Sequence, residues 1–241
     1  MKKNNAFTLA EVLITLGIIG IVAAMTLPGL VAKYKEKVMI TQAKRTMSIV
    51  YNALNLTRAK TESADYSNFF ISTAKSDETA DIIFKNLNII ERCKSNKNGC
   101  GGDIKIKPQY RTNDGYGNVS SGGSLKNYSR AVLKDGSILG IYQAQYAREG
   151  CQHDYIAYKK DSNGNYLKDE NGDLIAEART ETCCGKIFFD TNGVKGPNQY
   201  GQDVFIIYIQ PNSYIQSLGS IQNVIKNNKL YYENYISGGE F

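Results

Sequence analysis

The strongest feature of the hydropathy pattern lies at the front of the chain. Residues 7–27 read FTLAEVLITLGIIGIVAAMTL, apolar throughout apart from Glu11 and the small hydroxyl side chains. At helical rise this run spans about 32 Å, close to the hydrocarbon thickness of a bilayer. Pro28-Gly29 follows and predicts a kink or local melting, because proline lacks a backbone donor and clashes with the preceding turn. A helical pattern resumes from there to about Lys60. Met39, Ala43, Met47, Val50 and Leu54 recur every three or four residues as one apolar stripe, with Lys33, Lys35, Lys37, Lys44 and Arg45 largely off it. A stripe of this width packs on a sheet.

Beyond Lys60 the helical period fades. Residues 61–80, rich in Ser, Thr, Asp and Ala, predict loop with a short helix, and Ile82 to Ile90 fits either a short helix or a strand. Ala131 to Lys134 and Ser137 to Tyr142 flank Asp135-Gly136, a strong hairpin signal. Asp154 to Tyr158 and Lys186 to Phe189 read as strands, and Val204 to Ile209 (VFIIYI) is the clearest one. Between Lys159 and Glu177, DSNGNY and DENGDL form two Asp/Asn/Gly turns in a surface insertion near 159–180. A long helix followed by antiparallel strands predicts an α+β domain over residues 61–241.

Composition narrows the function. The net charge of +6 is far from the basic stripe of a dedicated nucleic-acid binder, so no specific nucleic acid is expected. The MKKNNA ahead of the apolar run carries Lys2 and Lys3, and positive flanks stay cytoplasmic, which places the bulk of the chain on the far side of the membrane. A cleavable secretory signal has a shorter apolar core of roughly 7–15 residues and a small-residue site at its end, which Met25-Thr26-Leu27-Pro28 does not supply. A plain signal anchor accounts for the length and the lysines but not for a carboxylate inside the run, which asks for a partner.

The run Ala6-Phe7-Thr8-Leu9-Ala10-Glu11-Val12-Leu13 resembles the signal of type IV prepilins and type II secretion pseudopilins. The resemblance implies a leader of residues 1–6 cut by prepilin peptidase between Ala6 and Phe7, with Phe7 then N-methylated. It implies a membrane-spanning, filament-core helix over 7–27 continuing as an amphipathic helix over 28–60, with Glu11 and Pro28 at the family's acidic and proline positions. Ala6 stands where the family usually has glycine and keeps the small size. The implied partners are other pilin or pseudopilin subunits, the prepilin peptidase, the inner-membrane assembly platform and the membrane itself. The implied role is a structural subunit, a minor one given the large exported domain, first anchored by a single pass in the inner membrane and then built into an extracytoplasmic filament. The alternative is a binding module carried on such a filament, an adhesin or DNA-uptake subunit. In the filament, Glu11 of one subunit can pair with the Phe7 amine of a neighbour, which sets axial register because either charge alone would be stranded.

Other candidate chemistry lies in the second half. Asp190, Asn192, Asn198 and Asp203 sit in a Gly-rich loop that resembles one recurring near the C-terminal part of pseudopilin-like proteins; their oxygens suit Ca²⁺, or serve the loop's own backbone. No other cofactor is expected. The five cysteines, Cys93, Cys100, Cys151, Cys183 and Cys184, fit a disulfide-permissive compartment with one thiol left over. Cys93 and Cys100 suit a local bridge, and Cys151 can pair with Cys183 or Cys184. Zinc held by Cys151, His153, Cys183 and Cys184 is the competing reading, although the usual ligand spacing is absent. His153 is the single histidine, and no G-x-S-x-G, H-E-x-x-H or phosphate-binding glycine loop occurs, so no enzyme is expected.

Overall fold

The computed structural model describes residues 8–70, 76–109, 125–144, 151–162, 164–212, 214–218 and 221–232, with the backbone alone for residues 153 and 214–218. Helix α1 runs Leu9–Lys60, followed by α2 (Ser67–Phe70) and α3 (Ser76–Phe84). Strands β1 (Ile89–Cys93), β2 (Ser129–Leu133), β3 (Ile138–Gln143), β4 (Gln152–Tyr158), β5 (Ala176–Thr182), β6 (Gly185–Asp190), β7 (Val204–Ile209) and β8 (Tyr214–Leu218) come next, and α4 (Ile221–Asn227) last. The α+β expectation holds: the long helix precedes an antiparallel sheet of order β1-β2-β3-β6-β7-β8. The segment 82–90 divides, its start ending α3 and its end opening β1.

Helix α1 starts and stops where its sequence provides caps. Thr8 and Glu11 form a capping box at the front, and the Thr61 hydroxyl donates to the Thr57 carbonyl (2.8 Å) at the end, with Arg58 and Lys60 in the last turn. Of the kink or local melting expected at Pro28, the melting does not occur: the helix is uninterrupted across it. Proline removes a single rung of the ladder, whereas ending the helix there would strand several backbone groups on each side.

The stripe on α1 finds its sheet. Ala43, Met47, Val50 and Leu54 are buried, and Met39 packs at the margin of the same cluster. Their partners alternate along the strands, as a period of two requires. Ile187 and Phe189 of β6 and Phe205, Ile207 and Ile209 of β7 join the helix-side core, where Phe189 stacks on Phe205 with centroids 5.3 Å apart. Phe188, Val204 and Ile206 point to the opposite face, covered by Ile106, Leu125 and Tyr200. A sheet buried on both faces explains why VFIIYI is continuously apolar rather than alternating.

The Asp135-Gly136 turn joins β2 to β3 as expected. Gly136 has φ +88°, and the Asp135 carboxylate accepts from the Ser137 hydroxyl (2.7 Å) and amide (3.2 Å). Arg130, fully buried on β2, holds the far side together. Its guanidinium donates to the carbonyls of Leu125, Lys126, Tyr128, Lys97 and Gly99, tying the 94–100 loop to the turn before β2. Gly102 is the only residue that fits above it, since a Cβ would lie 2.6 Å from the guanidinium.

Among the described residues, strands β4 and β5 pair only with each other, from Gln152↔Thr182 to Tyr158↔Ala176, and form a sheet separate from the main one, an arm. Both Asp/Asn/Gly turns lie at its tip. Asp161 accepts from the Asn165 amide (2.9 Å), and Asp169 from the amides of Asn171 and Asp173 (both 2.9 Å), so these carboxylates serve as turn formers.

The N-terminal helix as candidate assembly surface

The first half of α1 has no cover of its own. From Leu9 to Lys37 every residue except Ala23 is exposed, including Leu9 and Met25 at 78% each. Among the described residues this is the one helix long and apolar enough to cross a membrane, and none of its most apolar window is buried by the fold. An apolar surface that runs around the whole helix needs lipid or other helices to cover it.

Glu11 sits at the start of this surface. Its Oε2 accepts from the Thr8 amide (2.8 Å) and the Thr8 hydroxyl (2.9 Å), while the Thr8 hydroxyl also accepts from the Glu11 amide (3.3 Å). The carboxylate is thereby turned toward the N-terminal end of the chain, and within the described residues Oε1 takes no bond. Thr8 is a hydrogen-bond partner that the reading of Glu11 did not include. The T-x-x-E spacing of Thr8-Leu9-Ala10-Glu11 carries the signal, since it is a capping box ahead of an apolar run. Ala6 and Phe7, the expected cleavage and methylation positions, lie outside the described residues. Pro28 sits inside the exposed helix.

The cysteines resolve into Cys93–Cys100 and Cys151–Cys184, with Cys183 free and buried. The zinc reading is thereby corrected: two of its three thiols are joined to each other and cannot be thiolate ligands. The backbone register sets Cys183 directly against Cys151, its amide donating to the Cys151 carbonyl (2.7 Å). Residues opposite each other on paired strands share a face, so the register alone would favour Cys183; Cys151, however, leaves the extended conformation at φ +66°, and it is Cys184 whose sulfur reaches it. The Cys183 thiol instead donates to the Gly185 carbonyl (3.4 Å), and burial pushes its pKa up. Glu91 approaches Cys93 and Cys100, but the sulfurs there are also oxidised.

In the loop between β6 and β7 the four candidate oxygen ligands do converge. Asp190 and Asp203 are both fully buried. The Asp203 carboxylate accepts from the amides of Asn198 (2.9 Å) and Gln199 (2.8 Å), and Asp190 from the amide of Asn192 (3.1 Å). With its amide nitrogen facing inward, the Asn198 side chain donates to Asp190 Oδ2 (3.2 Å) and the Gly193 carbonyl (3.3 Å). Burial, and then the neighbouring Asp203 charge, push Asp190 up to about 8; burial also raises Asp203. These bonds tie the loop to itself, while the Thr191 hydroxyl and Asn192 Oδ1 are buried with no hydrogen-bond partner among the described residues.

Comparison with known proteins agrees with the N-terminal geometry. Residues 1–27 match the family model of the prokaryotic N-terminal methylation motif. No curated protein and no solved structure matches the chain. The capped, apolar, uncovered helix start and the matched motif coincide, and the chain carries the N-terminal signature of type IV pilin and pseudopilin precursors.

Proposed function

We propose that this protein is a minor structural subunit of a type IV pilus or type II secretion pseudopilus, processed by prepilin peptidase and assembled through α1. The observation that supports it is the bare apolar half of α1 with a single oriented carboxylate at its start. Before assembly, the bilayer covers Leu9 to Leu27, the leader lysines stay on the cytoplasmic side, and Thr8 holds the Glu11 charge. On assembly, helices of neighbouring subunits replace lipid, and Glu11 meets the Phe7 amine of a neighbour. The pair fixes register, because an unmatched carboxylate in an apolar setting is costly.

The test has two readings. Mass spectrometry of the purified protein should find a mature N-terminus at methylated Phe7; retention of MKKNNA would overturn the proposal. Glu11→Ala should still insert in the membrane yet be absent from sheared filaments. Normal incorporation of that variant would reject the register role.

A further inference from the structure

We propose that the β4–β5 arm is a docking element that seats on the bare, basic stretch of α1 just beyond the membrane span in a second copy of this chain. The inference rests on the filament reading above, which brings copies side by side.

The arm has two unlike faces. Alternation and register put Ile156 and Tyr158 on one face with Ala178 and Ala176 opposite them, and the Thr180–Asp154 hydrogen bond (2.6 Å) marks the same side. The other face carries Tyr155, Arg179 and Glu177. The first face is uncovered: Ile156 is 72% exposed and Tyr158 48%. A lone two-stranded ribbon is marginal in water, and among the described residues the body holds this one at its base, through Cys151–Cys184 and the Gln210 side-chain amide donating to the Thr182 carbonyl (3.3 Å). An apolar ribbon face held out from a domain calls for a partner surface.

Charge selects the partner. Between residues 152 and 182 the arm holds seven acidic side chains against four basic ones. Residues 30–37 of α1 hold three lysines against one glutamate, together with Leu30, Val31 and Tyr34, all exposed. None of Lys33, Lys35 and Lys37 forms an ion pair among the described residues. Both surfaces combine an apolar strip with a charged border, their charges are opposite, and among the described residues neither is covered within one copy. Opposite borders steer the encounter and penalise wrong registers, while the apolar strips supply the burial.

The experiment places a photo-crosslinking amino acid at Ile156 in the full chain, in cells that assemble filaments, and maps adducts by mass spectrometry. The expected result is covalent dimers joined to residues 30–37. A Lys33→Glu, Lys35→Glu, Lys37→Glu variant should lower their yield at least five-fold, and adding Glu170→Lys, Asp173→Lys and Glu181→Lys, which leave the turn-forming Asp169 in place, should restore it, which also shows that the first variant folds. Adducts to lipid, to other proteins or to the same copy overturn the proposal, as does a yield that charge reversal leaves unchanged. Yield is read in sheared filaments and in membranes. Absence of the chain from filaments rejects the filament reading, with 156-to-helix adducts in membranes still supporting docking. Presence in filaments without those adducts rejects the docking alone.

Discussion

The two halves of α1 are one helix with two kinds of apolar surface. In the half from Ala43 to Thr57 the apolar residues occupy one stripe, and that stripe is buried by the protein's own sheet. In the half from Leu9 to Leu30 apolar residues run all round, and among the described residues all but Ala23 are exposed. The angular width of the pattern decides between these outcomes. A one-sided stripe can be satisfied by a single sheet face, whereas an all-round surface can be satisfied only by a medium that surrounds it. The first half therefore needs a cover that the domain does not supply, whereas the second is covered by its own domain.

The sharpest way to break this contrast is to make the same substitution on both sides. Leu54 is fully buried, so Leu54→Ala should cost about 2–5 kcal/mol and lower the melting temperature of the detergent-solubilised protein markedly. Leu16→Ala, at a position 60% exposed, should leave that melting temperature within about 1 °C, since surface changes cost little in the domain. Equal losses would mean that the N-terminal half packs on the domain after all. Next in size is the arm's anchor. Cys151→Ser should cost roughly 2–4 kcal/mol and, in limited proteolysis, speed cleavage within residues 152–182 relative to cleavage of the body. Unchanged arm cleavage would mean that the bond does not hold the arm to the core.

The parts of this fold that were legible in the sequence are the local ones. The α1 stripe, the Asp-Gly hairpin and the VFIIYI strand announce themselves within a few residues, because period and turn chemistry are local properties. Of the candidate site, Glu11 was legible from its offset within an apolar run, and its Thr8 partner was readable from the capping-box spacing. The pairing of Cys151 with Cys184 rather than Cys183 was not, because it depends on which strand face each sulfur takes. Arg130 was equally hidden: a lone arginine in a strand reads as a surface residue, and only the fold brings five carbonyls around it. The helix's continuity through Pro28 was not legible either, because proline's local penalty has to be weighed against the backbone groups that a melted turn would expose.

A smaller effect tests the covered side through pH. Asp77, at the start of α3, accepts from the Ser95 amide (2.8 Å) and hydroxyl (3.0 Å) and from the Ser129 hydroxyl, and lies 3.7 Å from Arg92, which also pairs with Asp81 (2.9 Å). Burial raises its pKa, but these hydrogen bonds and the Arg92 charge outweigh it, so the net shift is downward. A depressed carboxylate stabilises the fold above its unfolded value of about 3.9 and loses that contribution as pH falls through the folded value. Asp77→Asn should therefore cost about 1 kcal/mol at neutral pH. The difference from the unmodified protein should shrink as pH is lowered from about 6 toward about 3. A constant difference across that range would show that the charge of Asp77 contributes nothing.

The smallest expected effect concerns the β6–β7 loop, whose two carboxylates are fully buried. Ca²⁺ asks for six to eight oxygens around one point, and anionic carboxylates supply most of the attraction. Here both Asp203 oxygens already accept backbone amides, and Asp190, pushed up to about 8, is mostly neutral at pH 7. A cation would have to remove a proton from Asp190 and turn the Asn198 amide away from it, losing the bonds that close the loop. At about 1 mM Ca²⁺, the weak end of extracellular sites, the melting temperature should match that in chelator within about 1 °C. A rise of several degrees would mean that the metal meets those costs, and Asp190→Asn should then abolish the rise while leaving Leu54→Ala its full effect, separating a ligand-held loop from a core-held helix.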